Sequence, residues 1–336
     1  MIRILLDCYG TDRGMSEVVL AGVNAIKKFK DIEITLVGKK EDIENELLNY
    51  SFNKKMIKII DAREEITCNE SPVKAIKEKT DSSLVVALNN LKEDYDAVIS
   101  GGSTGAVLTG GFLKIGRVKG VSRPALCPLL PTMDGKSVML IDCGSNVDCK
   151  PINLCHFAQM ANIYMKNIMK VENPKIALLN IGEEEAKGNE LSKETYKMLK
   201  EMPINFIGNI EARDFLSGKA DVVVSDGFSG NVLLKGTEGA TLMVLKKLKN
   251  EIKNSFFAKI GALFMRKAFK NIRSSLNVNA YGGSVLIGLK KILIKVHGSS
   301  TQDAIVVAIE QAIELKQKKV IEQFEEEFSK IAEEGN

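Results

Sequence analysis

Residues 221–235 read DVVVSDGFSGNVLLK, and this stretch decides the fold class. Val222, Val223 and Val224 form an unbroken β-branched run, the composition of a strand buried on both faces. A loop of small and cap-forming residues follows: Ser225, Asp226, Gly227, Ser229 and Gly230. It closes at Asn231, where a helix can open. A buried strand running into a small polar loop is the element from which α/β folds are assembled.

The same element recurs along the chain. Strand-like runs are expected at 2–7, 32–37, 56–60, 97–100, 138–142, 175–180, 205–208, 221–225, 284–289 and 294–296. Helical patterns lie between many of them, at 16–30, 71–91, 155–169 and 191–202. This alternation predicts an α/β protein with a largely parallel sheet flanked by helices. Residues 239–279 break the rhythm with helix-favouring sequence and a break expected near Gly261, a helical hairpin excursion from the body. One last helix is expected from 301 to about 333. With no low-complexity linker and no fixed-period repeat, the whole chain 1–336 reads as a single α/β catalytic unit.

The totals are those of an ordinary globular protein: 336 residues, 45% apolar, 27% charged and a net charge of +4. That charge is too small and mixed to argue for nucleic acid. Six scattered cysteines make no disulfide framework, and no signal-like segment is present, so the cytoplasm is expected. Residues 97–113 are uncharged but carry five glycines, a poor membrane span. Cys143, Cys149, Cys155 and His156 lack the close pairs of structural zinc, so no metal is expected, and no cofactor.

In open parallel sheets, ligands bind beyond the carboxyl ends of the strands. The loops there share a composition: Asp7-Cys8-Tyr9-Gly10, Ser100-Gly101-Gly102-Ser103-Thr104-Gly105, Asp142-Cys143-Gly144-Ser145-Asn146, Asn180-Ile181-Gly182-Glu183 and Asp226–Asn231. Small residues let backbone N–H groups approach an anion, and a helix opening there adds its dipole. Ser103, Thr104, Gly105, Asp142, Asn146, Asp226, Gly227, Ser229 and Gly230 are therefore candidates for a phosphate- or substrate-binding mouth. Each residue type is also an ordinary turn or cap former. Residues 101–105 do not match a dinucleotide fingerprint. Gly135-Lys136-Ser137 lacks the first glycine of a P-loop and precedes a strand instead of following one.

No nucleophile elbow appears, and there are two histidines. His156 sits in a helical pattern beside Phe157 and Met160, a core or surface position. His297 ends a strand-like run and precedes Gly298-Ser299-Ser300; a functional role and a capped turn explain it equally. Lys187 lies in a charged loop after a buried strand, beside Gly188, where it is either a solvated lysine or a phosphate contact. The Asn231 amide can cap a helix or donate to a developing oxyanion.

At these loops the sequence resembles the acyl-acyl-carrier-protein:phosphate acyltransferase family (PlsX). The matching stretches are 100–105, Arg123-Pro124-Ala125-Leu126, Ile141-Asp142-Cys143-Gly144-Ser145-Asn146, LLNIGEEEAKGN at 178–189, FIGNIEARD at 206–214, 221–235, Tyr281-Gly282-Gly283 and His297-Gly298-Ser299-Ser300. They run in family order over almost the whole chain. The opening departs: Asp7-Cys8-Tyr9-Gly10-Thr11-Asp12 stands where the family is closer to Asp-x-Met-Gly-Gly-Asp. The resemblance implies transfer of a fatty acyl group from acyl carrier protein to inorganic phosphate, for phospholipid synthesis. It also implies a homodimer with a fold like phosphotransacetylases and isopropylmalate dehydrogenases. Lys187 and Asn231 then become the expected catalytic residues. Such chemistry needs no triad, because phosphate is already anionic and a thiolate leaves readily. Holding phosphate against the carbonyl and stabilising the oxyanion suffice. The rivals are a short-chain phosphotransacylase using coenzyme A, a non-catalytic docking scaffold, and a dehydrogenase of similar fold.

The excursion carries its own expectations. Leu242, Val244, Leu245 and Leu248 cannot all be buried on a lone helix, which predicts an isologous homodimer. From Lys246 to Arg273 stand nine basic residues and one acid, Glu251. Phe256, Phe257, Ile260, Leu263, Phe264 and Phe269 are interleaved with them. The first five are the expected contacts with an anionic membrane surface. Packing of that stripe on a partner subunit, or use of the charge by acidic acyl carrier protein, are the alternatives.

Overall fold

The computed structural model describes every residue except 93, 276–281 and 335–336. The chain opens with β1 (Ile2–Asp7), α1 (Met15–Lys28), β2 (Ile32–Gly38), α2 (Lys40–Leu47), β3 (Ile57–Asp61), α3 (Pro72–Glu78), α4 (Ser83–Leu91), β4 (Ala97–Ser100) and α5 (Thr104–Gly110). The middle section is β5 (Ala125–Cys127), β6 (Leu129–Pro131), β7 (Ser137–Ile141), α6 (Pro151–Asn167), β8 (Ile176–Asn180), α7 (Glu190–Glu201), β9 (Phe206–Glu211) and β10 (Val222–Val224). Then come α8 (Gly227–Asn254), α9 (Phe256–Phe264), α10 (Arg266–Ser275), β11 (Ser284–Ile287), β12 (Ile292–Lys295), α11 (Gln302–Gln317) and α12 (Val320–Glu334).

The expected α/β alternation holds, but the strands form two sheets rather than one. The larger runs β3-β2-β1-β4-β12-β11-β5 and the smaller β6-β7-β10-β8-β9. In the larger sheet β11 is antiparallel to both its neighbours, and in the smaller β6 is antiparallel to β7; the other pairs are parallel. The chain passes from one sheet to the other through Pro128, the single residue between β5 and β6. Proline has no N–H to offer a ladder, so it suits a corner where pairing changes hands. The Pro128 carbonyl still accepts from the Leu140 amide at 3.1 Å, and Leu126 accepts from Cys143 at 3.0 Å, tying the corner to β7. These two short strands, of three residues each, lie below the length at which a sequence pattern declares itself.

One buried cluster spans both sheets. Ile4, Ile34, Ile99 and Ile294 join Met139, Leu178 and Val222 through Phe157 and Tyr164 of α6.

Two expected helices are interrupted. The pattern at 71–91 is divided between α3 and α4, where the Ser82 hydroxyl bonds back to the Lys79 carbonyl at 2.7 Å. Such a local bond offers the backbone an alternative to the helix. The C-terminal helix breaks between α11 and α12 at Lys319, which has φ 51°. The excursion is helical as expected, yet it begins at Gly227 as the single long helix α8 and shows no break at Gly261, which lies within α9. The breaks fall instead at Ser255, whose hydroxyl accepts from the Ala258 amide at 3.2 Å, and at Met265. The end of the expected excursion, 276–279, and Tyr281 lie outside the described residues.

The first turn of α8 is pressed onto the loop after β7. A Cβ on Gly230 would stand 2.0 Å from the Asp142 carbonyl oxygen, and one on Gly227 would meet Asn146 backbone atoms at 2.7 Å. Backbone atoms cannot step aside as a flexible side chain can. Gly230→Ala is therefore expected to cost about 3 kcal/mol of stability, read as a lowered midpoint in chemical denaturation. A variant as stable as the parent would show that this contact is loose.

Candidate active site

A cleft opens where the carboxyl ends of β4, β7 and β12 meet the start of α8. Its wall includes Thr104, Cys143, Asn231, Lys235, Lys295 and His297. Three expected site residues, Thr104, Asn231 and His297, are thus brought together from three distant parts of the chain.

Asn231 does not cap its helix. The cap is Asp226, whose carboxylate accepts from the Ser229 amide at 2.9 Å. The Asn231 amide makes no hydrogen bond within the described chain and lies against Gly144, whose φ is 102° and where a Cβ would come within 3.6 Å of it. Of the two roles open to this side chain, capping is excluded.

His297 is held in the capped turn expected for it. Its Nδ1 accepts from the Ser299 amide at 3.2 Å and bonds the Ser299 hydroxyl at 2.8 Å, so the ring is fixed by the turn. In the neutral ring the proton then sits on Nε2, leaving a donor on a residue of the cleft wall.

Asp142 and Asn146 lie beneath the cleft as its frame. The Asp142 carboxylate accepts from the amides of Leu126, Cys143, Ser145 and Asn146 and from the Asn146 side chain, at 2.6–3.3 Å. Burial holds its carboxyl above the ordinary carboxylate range, and these hydrogen bonds offset part of that rise. The Asn146 side chain also donates to the Pro124 carbonyl at 2.8 Å. Gly227 and Gly230 belong to the same frame through their close approach. Gly105 packs on α3, where a Cβ would meet Pro72 at 2.7 Å, and Ser103 occupies the cap position of α5 without a side-chain bond.

Asp226 and Ser229 face a neighbouring groove on the other side of α8, lined also by Asn180, Gly188, Phe228 and Val232. Lys187 is exposed one residue before Gly188 and does not line the cleft with Asn231. Its loop is held by Asn180 donating to the Lys187 carbonyl at 3.2 Å. Glu185 and Glu183 of that loop are taken by Lys200 and Lys219, at 3.2 and 3.3 Å. The Lys187 ammonium forms no ion pair among the described residues.

Sequence reasoning missed Lys295, Lys235, Glu238 and Cys143 of the cleft. Lys295 left a signal, a lysine inside the apolar run of a central strand. Lys235 and Glu238 pair with each other at 2.7 Å. Burial pushes the Cys143 thiol up to about 12, so it stays protonated and is no nucleophile near neutrality. His156 is structural, accepting from the Ser122 amide at 3.1 Å and meeting Phe328 edge-on at 5.0 Å. Among the described residues no three His, Cys, Asp or Glu side chains could share a metal, and no helix is long and apolar enough to cross a membrane.

The fatty acid synthesis protein family matches residues 2–323. A phosphate acyltransferase of Clostridium novyi is 46% identical over 322 residues, covering 96% of this chain and 97% of the relative. One from Clostridioides difficile is 43% identical over 335 residues, covering 99% and 98%. The fold is that of a phosphotransacetylase from Streptococcus pyogenes, at a TM-score of 0.62 and 18% identity over 96% of this chain and 94% of that one. The family match over 2–323 and this identity over nearly the full length place the chain in the phosphate acyltransferase family, and it is an acyltransferase.

Proposed function

We propose that the chain transfers a fatty acyl group from acyl carrier protein to inorganic phosphate, giving an acyl-phosphate for phospholipid synthesis. One observation carries the reading: the cleft wall offers an uncommitted amide, a ring N–H and a buried ammonium, while its thiol Cys143 stays protonated and its carboxylate Glu238 is held by Lys235. An incoming anion must therefore be the nucleophile. A phosphate oxygen attacks the thioester carbonyl, the C–O bond forms and the carbonyl oxygen becomes an oxyanion. Collapse breaks the C–S bond, and the thiolate leaves with the electron pair and takes a proton from water. Asn231 donates to the oxyanion, a preorganised interaction of the kind that dominates acyl transfer. Lys187 keeps the catalytic role that the family resemblance gives it, although it lies outside the cleft.

The exposed faces of α8 and α9 support two further parts of the reading. Leu242, Leu245 and Leu248, three residues apart on α8, are each exposed, an unpartnered apolar face that suits a second copy of the chain in a two-fold dimer. Phe257, Leu263 and Phe264 are 83%, 72% and 87% exposed, so this stripe is not packed on its own subunit. Beside the basic residues of α8 and α10 it suits the surface of an anionic bilayer. The side chains of Lys270 and Arg273 lie outside the described residues.

Incubation of long-chain acyl carrier protein with phosphate, followed by hydroxylamine trapping, should yield acyl hydroxamate well above a phosphate-free control, which measures direct reaction of hydroxylamine with the thioester. Acetyl-coenzyme A should be a poor donor in the same assay; the reverse preference would favour the short-chain rival. Asn231→Ala and Lys187→Ala are each expected to lower the rate about a hundredfold or more without loss of fold. Near-parental rates in both would discard these two assignments.

Replacing Phe257, Leu263 and Phe264 together with serine should weaken binding to anionic vesicles at least about a hundredfold, while turnover in solution survives. Unchanged flotation with vesicles would remove the anchor. Light scattering at micromolar concentration should report a dimer, and a monomer would sink the role given to Leu242 and its neighbours.

A further inference from the structure

β12 runs through the interior of the larger sheet between β4 and β11, and Ile292, Leu293 and Ile294 are buried apolar residues, as the position demands. The fourth residue is Lys295, only 9% exposed, opposite Ser100 of β4 and Ser284 of β11. A buried ammonium ordinarily requires a carboxylate partner. Lys295 has none within ion-pairing distance among the described residues, and its Nζ donates to the carbonyls of Gly101, at 3.4 Å, and of Val296. Of the nearby acids, Asp12 is exposed and makes no ion pair with it, and two others are committed elsewhere. Glu238 on the cleft wall is held by Lys235 at 2.7 Å, and Asp7 accepts the hydroxyls of Ser83 and Ser100 at 2.5 and 2.6 Å. The chain has thus placed a cation in its cleft and left the counter-charge out.

We propose that Lys295 is a phosphate-binding residue, its ammonium holding the attacking phosphate in the cleft beside Thr104 and the Nε2 donor of His297. This rests on reading the cleft as the place where phosphate meets the acyl donor. The missing negative charge is then the substrate's own. A phosphate dianion satisfies the buried ammonium with charge-assisted hydrogen bonds, and in its absence the site is electrostatically under-compensated. Lys187, exposed and outside the cleft, is not placed to do this.

Burial pulls the Lys295 pKa down to about 8. The groups around it act in both directions: Cys68, Asp12 and Asp7 favour its charge, and Lys235 opposes it. The His297 imidazole lies two residues further on the same wall. The sign follows from the form that binds. The ammonium holds phosphate, so above the range in which phosphate itself becomes the dianion, affinity falls as pH rises through the free-site lysine pKa.

The test compares the parent protein with Lys295→Met and Lys295→Arg, using calorimetric titration with inorganic phosphate and the phosphate KM of acyl-phosphate formation. Lys295→Met, with its fold checked by circular dichroism, should weaken phosphate binding and raise the phosphate KM by about ten- to a hundredfold. The KM for the acyl donor should not move. Lys295→Arg should recover part of the affinity and abolish its decline above pH 8, because guanidinium stays protonated. Should Lys295→Met fail to fold, the pH profile of Lys295→Arg decides, and an unchanged decline overturns the proposal. Phosphate bound equally by the parent and a folded Lys295→Met, or not bound by the parent at all, also overturns it. Phosphate bound by the parent and lost in Lys295→Met, with no acyl-phosphate made by either, would keep the phosphate site and overturn the acyl-transfer reading instead.

Discussion

The carboxylate of Asp142 is the constraint on which the site depends. Fully buried at the end of β7, it gathers backbone amides from the β5 strand and from its own loop, and the Asn146 side chain as well. These bonds curl residues 143–146 into a fixed shape. Onto that shape the first turn of α8 is laid, with Gly227 and Gly230 allowing contact closer than any side chain would tolerate. The larger sheet, the smaller sheet and the helix that presents Asn231 are thereby referenced to one anionic group. A preorganised donor is useful to catalysis only if its position does not relax, and here the fixing element is a carboxylate saturated with hydrogen bonds rather than a loop of apolar contacts.

The charges of the cleft follow a second logic. Ordinary ion pairs neutralise themselves, as Lys235 and Glu238 do. Lys295 instead donates to carbonyls and forms no ion pair among the described residues, and the low-dielectric sheet interior makes the imbalance costly. A binding site for an anion must carry such an imbalance when empty, because a cation with a satisfied protein partner gains little from a ligand. The protonated state of Cys143 is consistent with the same environment: burial disfavours a second anion on the cleft wall and reserves that charge for what enters.

Much of this was legible in the amino-acid sequence, for identifiable reasons. The run Val222–Val224 and its counterpart at 138–141 reported their own burial, since strands covered on both faces are continuously apolar. The glycine-bearing loops at the strand ends reported where chain and ligand come close. What stayed hidden was non-local. A three-residue strand such as β5 or β6 is specified by the strand it meets, so the division into two sheets at Pro128 left no pattern to find. The roles within the loops were equally hidden: Asp142 and Asn231 are both small polar residues after strands, and only the hydrogen-bond inventory shows that one is fully engaged and the other free. Lys295 was passed over because a single charge in an apolar run looks like an exception to a strand. In the folded chain that exception marks the cleft.

α8 is both a wall of the site and the root of the excursion, and its stiffness gives that double service a mechanical meaning. Its 28 residues span about 42 Å. The glycine contact with the Asp142 loop fixes it at its first turn, so the helix is a beam clamped at one end. A tilt of about 10° would carry the free end roughly 7 Å while Asn231, one residue from the clamp, would shift by less than about 0.5 Å. The outer part of the molecule can therefore follow a soft or uneven surface while the reacting geometry stays still.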